Sequence, residues 1–335
     1  MIDFFGRIRR EEEKILNSIN REKGYLAYLP GLSDEEIEKF NREIINSWER
    51  YRPNSINFQD IYGERARKDR EQVINFEKRP SFKKEKPDAA LALEYIVMNG
   101  IYDCNWLGEN AIVTPASRYD DYFNQIDIVV SFNIGEKRRK IYYLGIDITT
   151  ASRNEEVLKE KIENIEQQLK AKKLSEVKYF QSMDTDDKER GRREMPRVII
   201  SAKPEKVGKL AKLALENRGR GLANDEIKYQ FIYQIERQLM AEINYLLRNN
   251  GLTNQWFEDY QSLKLFIKNH KEKIRKDKQL SKIIESHFNV LKIIERNTRK
   301  EKDKIEKFEK KKGPHNETLN PNFSNFSKIC LNVLI

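Results

Sequence analysis

Two aspartates sit in apolar settings within this chain of 335 residues. Asp127 lies between Ile126 and Ile128 in QIDIVVSF, and Asp147 between Ile146 and Ile148 in IYYLGIDITT. The two runs are rich in Ile, Val, Tyr and Phe, and a polar, basic connection containing Asn133 and Gly135 joins them. That pattern predicts a β-hairpin from Gln125 to Thr150. Side chains alternate along a strand, so Asp127 shares a face with Gln125, Val129 and Ser131, and Asp147 with Tyr143, Gly145 and Thr149. A hairpin that folds near Lys137 sets the two acids opposite each other. Opposed Cβ atoms lie about 4.5–5.5 Å apart, where like charges repel. Two carboxylates that close call for a divalent cation or a shared proton. The competing reading is a strand Asp facing solvent, because a one-residue slip in register would turn the acids to opposite faces.

Other acids are placed to join them. Glu94 interrupts PDAALALEYIVMNG, a helix expected to open at Pro87 and end at Gly100. The helix is apolar nearly all round and is expected to be buried. A buried carboxylate costs several kcal/mol, to order of magnitude, unless it is paired or bound to metal. Asp120 and Asp121 fall in SRYDDYFNQID, where local turn bonding is their default role. Asp121 is the one that could approach the hairpin acids from the loop.

The elements that would position these residues follow from the hydrophobic spacing. Residues 8–50 read as helical, with a Ser33–Glu36 capping box, a Leu32–Ile37 staple and a stop at Pro53. A mixed stretch follows with Arg65, Arg67, Lys68, Arg70, Lys78, Arg79, Lys83, Lys84 and Lys86. It is either a DNA-facing patch or a solvated face. A short strand is expected at Ala111–Thr114. A helix over 154–172 carries the stripe Leu158, Ile162, Ile165 and Leu169, flanked by Lys159 and Lys161. Strands are expected at VKYF, from Val177, and at PRVIISA, from Pro196, with a polar loop between them. A helix then starts at Pro204, and the ENRGRGLANDE segment, with Arg218 and Arg220, breaks it. From Asp225 onward the chain reads as helical. Ile232, Ile235, Leu239, Ile243 and Leu246 mark a long helix stopped by Gly251, and a heptad-like seam runs through His287. A Lys/Glu-rich run from Thr298 to Lys312 and an apolar end, ICLNVLI, close the chain. The division expected is a helical region over 1–86, a core over 87–222 and a helical region with a charged tail over 223–335.

Lys and Arg number 64 against 54 Asp and Glu, so the formal net charge is +10. That balance favours nucleic acid or an acidic membrane surface as a partner. Cys104 and Cys330 alone cannot build a zinc knuckle or a disulfide framework. The three histidines, His270, His287 and His315, all fall late, which argues against a His-rich metal site. There is no GxxxxGK[ST] phosphate loop. No apolar run reaches membrane-spanning length, and the apolar part of MIDFFGRIRREEEK is too short for a secretory signal. The expectation is therefore a cytoplasmic protein with no membrane partner.

The order of elements from Pro87 to Asn217 is a helix with an embedded Glu, a strand, a hairpin with two acids, a helix, two strands and a helix. It resembles the core of the PD-(D/E)XK nuclease superfamily. The resemblance implies an α/β, restriction-endonuclease-like fold with a small mixed sheet flanked by helices. It makes Asp127 the first acid of the motif, Asp147 the acid of the (D/E)-x-K element, and Glu94 the helix acid. The carbonyl of Ile148 would be a further metal ligand. Thr149 stands where the family has lysine, so the resemblance shifts the catalytic lysine to the following helix, with Lys161 first and Lys159 second. The chain also lacks the usual proline before the first acid. What is implied is a magnesium-dependent endonuclease, with manganese as a substitute, that hydrolyses phosphodiester bonds in nucleic acid, with DNA favoured and RNA left open. The end regions would hold substrate, or mediate homo-oligomer or protein contacts through the C-terminal helices. The displaced lysine keeps open a catalytically inactive nucleic-acid-binding or scaffold protein on the same core. A helical interaction protein with incidental acids is a third reading.

Overall fold

The computed structural model describes residues 26, 28–79, 88–134, 140–150, 155–183, 189–216, 220–248 and 254–275. Its centre is the hairpin. Strands β2 (Ile128–Ile134) and β3 (Lys140–Thr150) pair antiparallel with Ile128 opposite Ile146. Strand β1 (Ala111–Pro115) pairs antiparallel with β2, and β6 (Arg197–Ala202) lies parallel to β3. The result is a four-stranded mixed sheet in the order β1-β2-β3-β6. An α/β architecture with a small mixed sheet is therefore present.

The two sheet faces differ as the alternation dictates. Val113, Ile128, Val130, Phe132, Leu144, Ile146, Val198 and Ile200 are all buried and belong to the main core. The opposite face carries Val129, Gly145, Asp147 and Arg197. Its apolar part is covered by a separate hairpin, β4 (Ser175–Gln181) with β5 (Arg190–Met195), through Val177, Phe180 and Met195.

Helices frame the sheet. α1 (Asp34–Phe40) leads through a π-helical turn, Asn41–Ile45, into α2 (Asn46–Glu49). α3 (Gln59–Tyr62) and α4 (Glu64–Glu77) precede α5 (Asp88–Cys104). α6 (Glu155–Lys170) connects β3 towards β4, and α7 (Pro204–Leu215) follows β6. After these come the short α8 (Arg220–Ala223), then α9 (Ile227–Arg248) and α10 (Asn254–Arg275). The main core draws residues from all three parts of the chain, among them Phe40 and Trp48, Leu93 and Ile146, and Ile235 and Leu263. Among the described residues no helix is long and apolar enough to cross a membrane.

Local signals account for much of this. The capping box is formed: Glu36 N–H donates to Ser33 Oγ at 3.3 Å, and Ser33 N–H to the Glu36 carboxylate at 2.7 Å. Two expectations need correction, the end of the buried helix and the polar loop after Val177. The buried helix does not end at Gly100 but runs on to Cys104. The indole of Trp106 lies against Gly100, where a Cβ would come within 2.3 Å of it, so this glycine serves a close approach rather than a cap. The mixed basic stretch contains a continuous helix, α4, on which Arg67 is paired with Glu64 and Glu71 on an exposed surface. The polar loop after Val177 holds strand β5. Its sequence, RGRREM, has no apolar alternation, and it is held by backbone pairing, by Arg192–Glu176 at 2.8 Å and by the single apolar anchor Met195. Lys83, Lys84, Lys86, Pro87, Arg218, Gly251, the seam through His287 and the charged tail with its apolar end lie outside the described residues.

The outer edge of β6 is closed by side chains. Gln238 on α9 accepts from Ile199 N–H at 2.9 Å and donates to Ile199 C=O at 2.7 Å. Gln234, one turn earlier, does the same for Ser201 at 3.1 Å in each direction. Both glutamines are buried, so each replaces the neighbouring strand that an edge would otherwise recruit. Gln238→Leu keeps the volume but strands two buried backbone groups. It is expected to cost about 2–4 kcal/mol, read as a lowered midpoint in urea with unchanged m-value.

Candidate metal centre

The hairpin register, with Ile128 opposite Ile146, sets Asp127 against Asp147 rather than one residue out of step. Asp127 directly precedes β2, and its N–H donates to the carbonyl of Ile146 at 3.0 Å. Both aspartates are buried. Their carboxylates have different partners. Asp127 Oδ2 accepts from the N–H of Ile148 at 2.6 Å. Asp147 Oδ1 is engaged by Lys161 Nζ, and its Oδ2 is buried with no hydrogen-bond partner. Ile148 thus contributes an amide that orients Asp127.

Glu94 is fully buried in the middle of α5. Carboxylate oxygens of Glu94, Asp121 and Asp127 lie within 4.8 Å of one another. Among the described residues this is the group whose spacing suits a metal ion. It contains the helix acid and the first hairpin acid expected from sequence. Its third member is Asp121, the loop acid, and Asp147 stands beside the group in its pair with Lys161.

A π-helical turn, Asp120–Asn124, delivers Asp121. Such widened turns recur at functional positions. Its other acid, Asp120, is a structural anchor. It accepts from Ser117 Oγ and Asn124 Nδ2 at 2.7 Å each, from Lys178 N–H at 2.7 Å and from Tyr179 N–H at 3.0 Å, which ties the turn to β4. Burial raises its carboxyl above the ordinary value, and those four donors act against the rise. The turn closes at Gln125 in the left-handed region, φ 56° and ψ 43°. Arg197 braces that corner from β6: its Nη1 donates to the carbonyl of Asn124 at 3.1 Å and to Gln125 Oε1 at 3.2 Å. The brace fixes the chain between Asp121 and Asp127. Burial lowers the Arg197 pKa, and the charges of Asp147, Glu242 and Asp127 oppose that shift.

Two guanidiniums surround the acids. Arg52 Nη2 donates to Glu94 Oε1 at 2.5 Å, its Nε to Glu49 Oε1 at 2.9 Å and its Nη1 to the carbonyl of Ala116 at 2.8 Å. Arg118 donates to Glu49 Oε2 at 2.8 Å and lies 3.9 Å from Asp121 Oδ2. Tyr95 OH also donates to Glu49. Burial pushes the Glu49 carboxyl up, but Arg118, Arg52 and Tyr95 outweigh it and bring it down to about 2. Arg52 and Arg118 thus pair with Glu49, Glu94 and Asp121, and Asp127 lies within the same group of acids. Oxygen-only donors at this spacing suit a hard cation.

Lys161 comes from α6 and is partly buried, whereas Lys159 is exposed. Thr149, at the usual lysine position, is buried on β3. Sequence reasoning missed Glu49, Arg52, Arg118 and Arg197. The first three resemble ordinary surface charges in a chain with 64 Lys and Arg. Arg197 had a signal, since it is a lone charge entering the apolar run VIISA. No protein-family model, curated protein or solved structure matches this chain.

Proposed function

We propose that this protein is a metal-dependent nuclease that hydrolyses phosphodiester bonds, with DNA as the favoured substrate. The observation that carries the reading is the buried convergence of Glu94, Asp121 and Asp127 beside the Asp147–Lys161 pair. Glu94, Asp121 and Asp127 would hold the ion, with Asp147 next to them. Magnesium, or manganese in its place, supplies a Lewis acid for a phosphate oxygen and a bound water of lowered pKa. The protein's own groups do the rest. Ile148 N–H and Arg52 fix the orientations of Asp127 and Glu94. Asp147 holds Lys161, whose ammonium can orient the attacking water or offset charge developing on the phosphate. The PD-(D/E)XK resemblance implies the same reaction, with Lys161 in the part of the absent motif lysine, but its ligand set has Asp147 where the clustered acids have Asp121. The excess of basic residues suits a polyanionic substrate.

The test is a plasmid-nicking and oligonucleotide-cleavage assay with magnesium, manganese or EDTA. Cleavage by the purified protein that requires the metal is the expected result. Lys161→Met is expected to reduce it about 100-fold or more while metal binding, read by calorimetry, persists. Nucleic-acid binding without cleavage in any metal would instead favour the inactive binding protein, for which Thr149 is the specific observation.

A further inference from the structure

The turn that delivers Asp121 also carries Phe123, whose ring is 41% exposed. The ring is not loose. It packs edge-on to Phe76 at 5.6 Å between centroids and tilted against Tyr119 at 5.0 Å. Phe76 stacks in turn on Tyr122 at 5.1 Å, and Tyr122 OH donates to Glu77 at 3.0 Å. Two elements, α4 and the π-helical turn, thus hold an aromatic surface in one pose, two residues along the chain from Asp121. Cations line it. The Arg79 guanidinium sits 5.1 Å from the Phe76 centroid, and Lys178 Nζ 5.2 Å from that of Tyr119. Lys178 is paired with Asp69, but Lys78 and Arg79 make no ion pair among the described residues.

An exposed, immobilised ring, with a guanidinium on the ring it packs against, is what an unpaired nucleotide needs. Its base has a π face to stack, and its phosphate seeks a cation. An interior base pair of a duplex offers no such free face. From this geometry we infer that Phe123 is a stacking platform for an unpaired base, and that the substrate of the neighbouring centre is single-stranded nucleic acid or a single-stranded segment within a duplex. The inference rests on the nuclease reading for what happens after binding. The stacking claim itself is about binding alone. Phe123 is a specificity-determining residue that selects the strand form, and Arg79 holds the backbone beside it.

The experiment uses the full chain in EDTA and a 12-mer single strand bearing 2-aminopurine, with its duplex as the comparison. Single-strand binding should quench the probe, and the duplex should bind more weakly. Phe123→Ala should weaken single-strand binding by at least about fivefold with duplex binding unchanged, measured below the thermal midpoint of the variant, which loses the ring's packing. Phe123→Trp should restore affinity and quenching, and Phe123→Leu should behave like the alanine variant. Leucine performing as well as tryptophan would reduce the platform to an apolar contact and overturn the inference. So would equal affinity in Phe123→Ala, or no single-strand binding by the unaltered protein. Metal-dependent cutting that ignores Phe123 would leave the nuclease reading standing and remove this one. Phe123-dependent binding with no cutting in any metal would do the reverse.

Discussion

Asp127→Asn is expected to abolish metal-dependent cleavage, by at least about 100-fold, with little change in folding. The substituted amide would keep an oxygen able to accept from Ile148 N–H, the bond that now orients the side chain at 2.6 Å. It would lose the charge that draws a cation to the group with Glu94 and Asp121. A second readout does not depend on turnover. Saturating magnesium or manganese stabilises a folded protein that binds it, by about 2.7 kcal/mol at 100 times the dissociation constant. The unaltered chain should therefore melt higher in the metal than in EDTA, and Asp127→Asn should not. Asp121→Asn should match Asp127→Asn in both assays. Asp147→Asn should lose cleavage but keep most of the metal-induced shift, because Asp147 holds Lys161 instead of joining the three clustered acids. If Asp147→Asn loses the shift and Asp121→Asn retains it, the ligand set is the one implied by the family resemblance and the grouping around Asp121 is wrong. Full cleavage by Asp127→Asn would remove the centre altogether.

Much of the scaffold of this site is written in local pattern. The apolar runs either side of Asn133 mark a hairpin, but both runs stay apolar after a one-residue slip, so it is the observed pairing of Ile128 with Ile146 that makes Asp127 face Asp147. The apolar circumference of α5 puts Glu94 in the interior, since Val97, Met98 and Ile101, three, four and seven residues on, share its face and are buried with it. The stripe on α6 places Lys161 nearer the sheet than Lys159. What local pattern does not carry is the counter-charge. Glu49 and Arg52 look like an ordinary i, i+3 surface pair, and only the packing of the α2 end against α5 buries them. Asp120 and Asp121 are adjacent identical residues with opposite fates, one anchoring β4 and the other facing the acids. The widened turn that separates them has no sequence signature of its own. β5 leaves no mark in the sequence because its pairing is carried by the backbone, which every residue possesses, and not by apolar alternation.

The buried Arg52 makes the second large prediction. Its guanidinium neutralises both Glu49 and Glu94, and its side chain is 4% exposed. Arg52→Met fills a similar volume but leaves two interior carboxylates short of a cation. Breaking a buried pair from one side costs about 3–5 kcal/mol, so the variant should unfold at markedly lower urea at pH 7. The pH dependence separates charge from packing. Glu49 is held down to about 2 in the folded protein against an ordinary 4.5, so its contribution to stability is complete above about 4.5 and is lost as pH falls towards 2. Without Arg52, burial acts against Arg118 and Tyr95 alone, and the folded value rises towards the ordinary one. The gap in stability between the two proteins should therefore be widest at neutral pH and shrink below about 4.5, as protonation removes the charge that Arg52 was there to balance. A gap that stays constant from about pH 7 to about pH 3 would mean that Arg52 matters for its packing and its bond to Ala116, not for its charge. Divalent metal supplies the same distinction from the other side. Arg52 occupies one oxygen of Glu94, so removing it leaves the acids more negative and Glu94 less encumbered. Magnesium should then recover more stability in Arg52→Met than it adds to the unaltered protein. That outcome requires the guanidinium and the metal to answer the same excess of negative charge, because a purely structural arginine would leave the metal response unchanged.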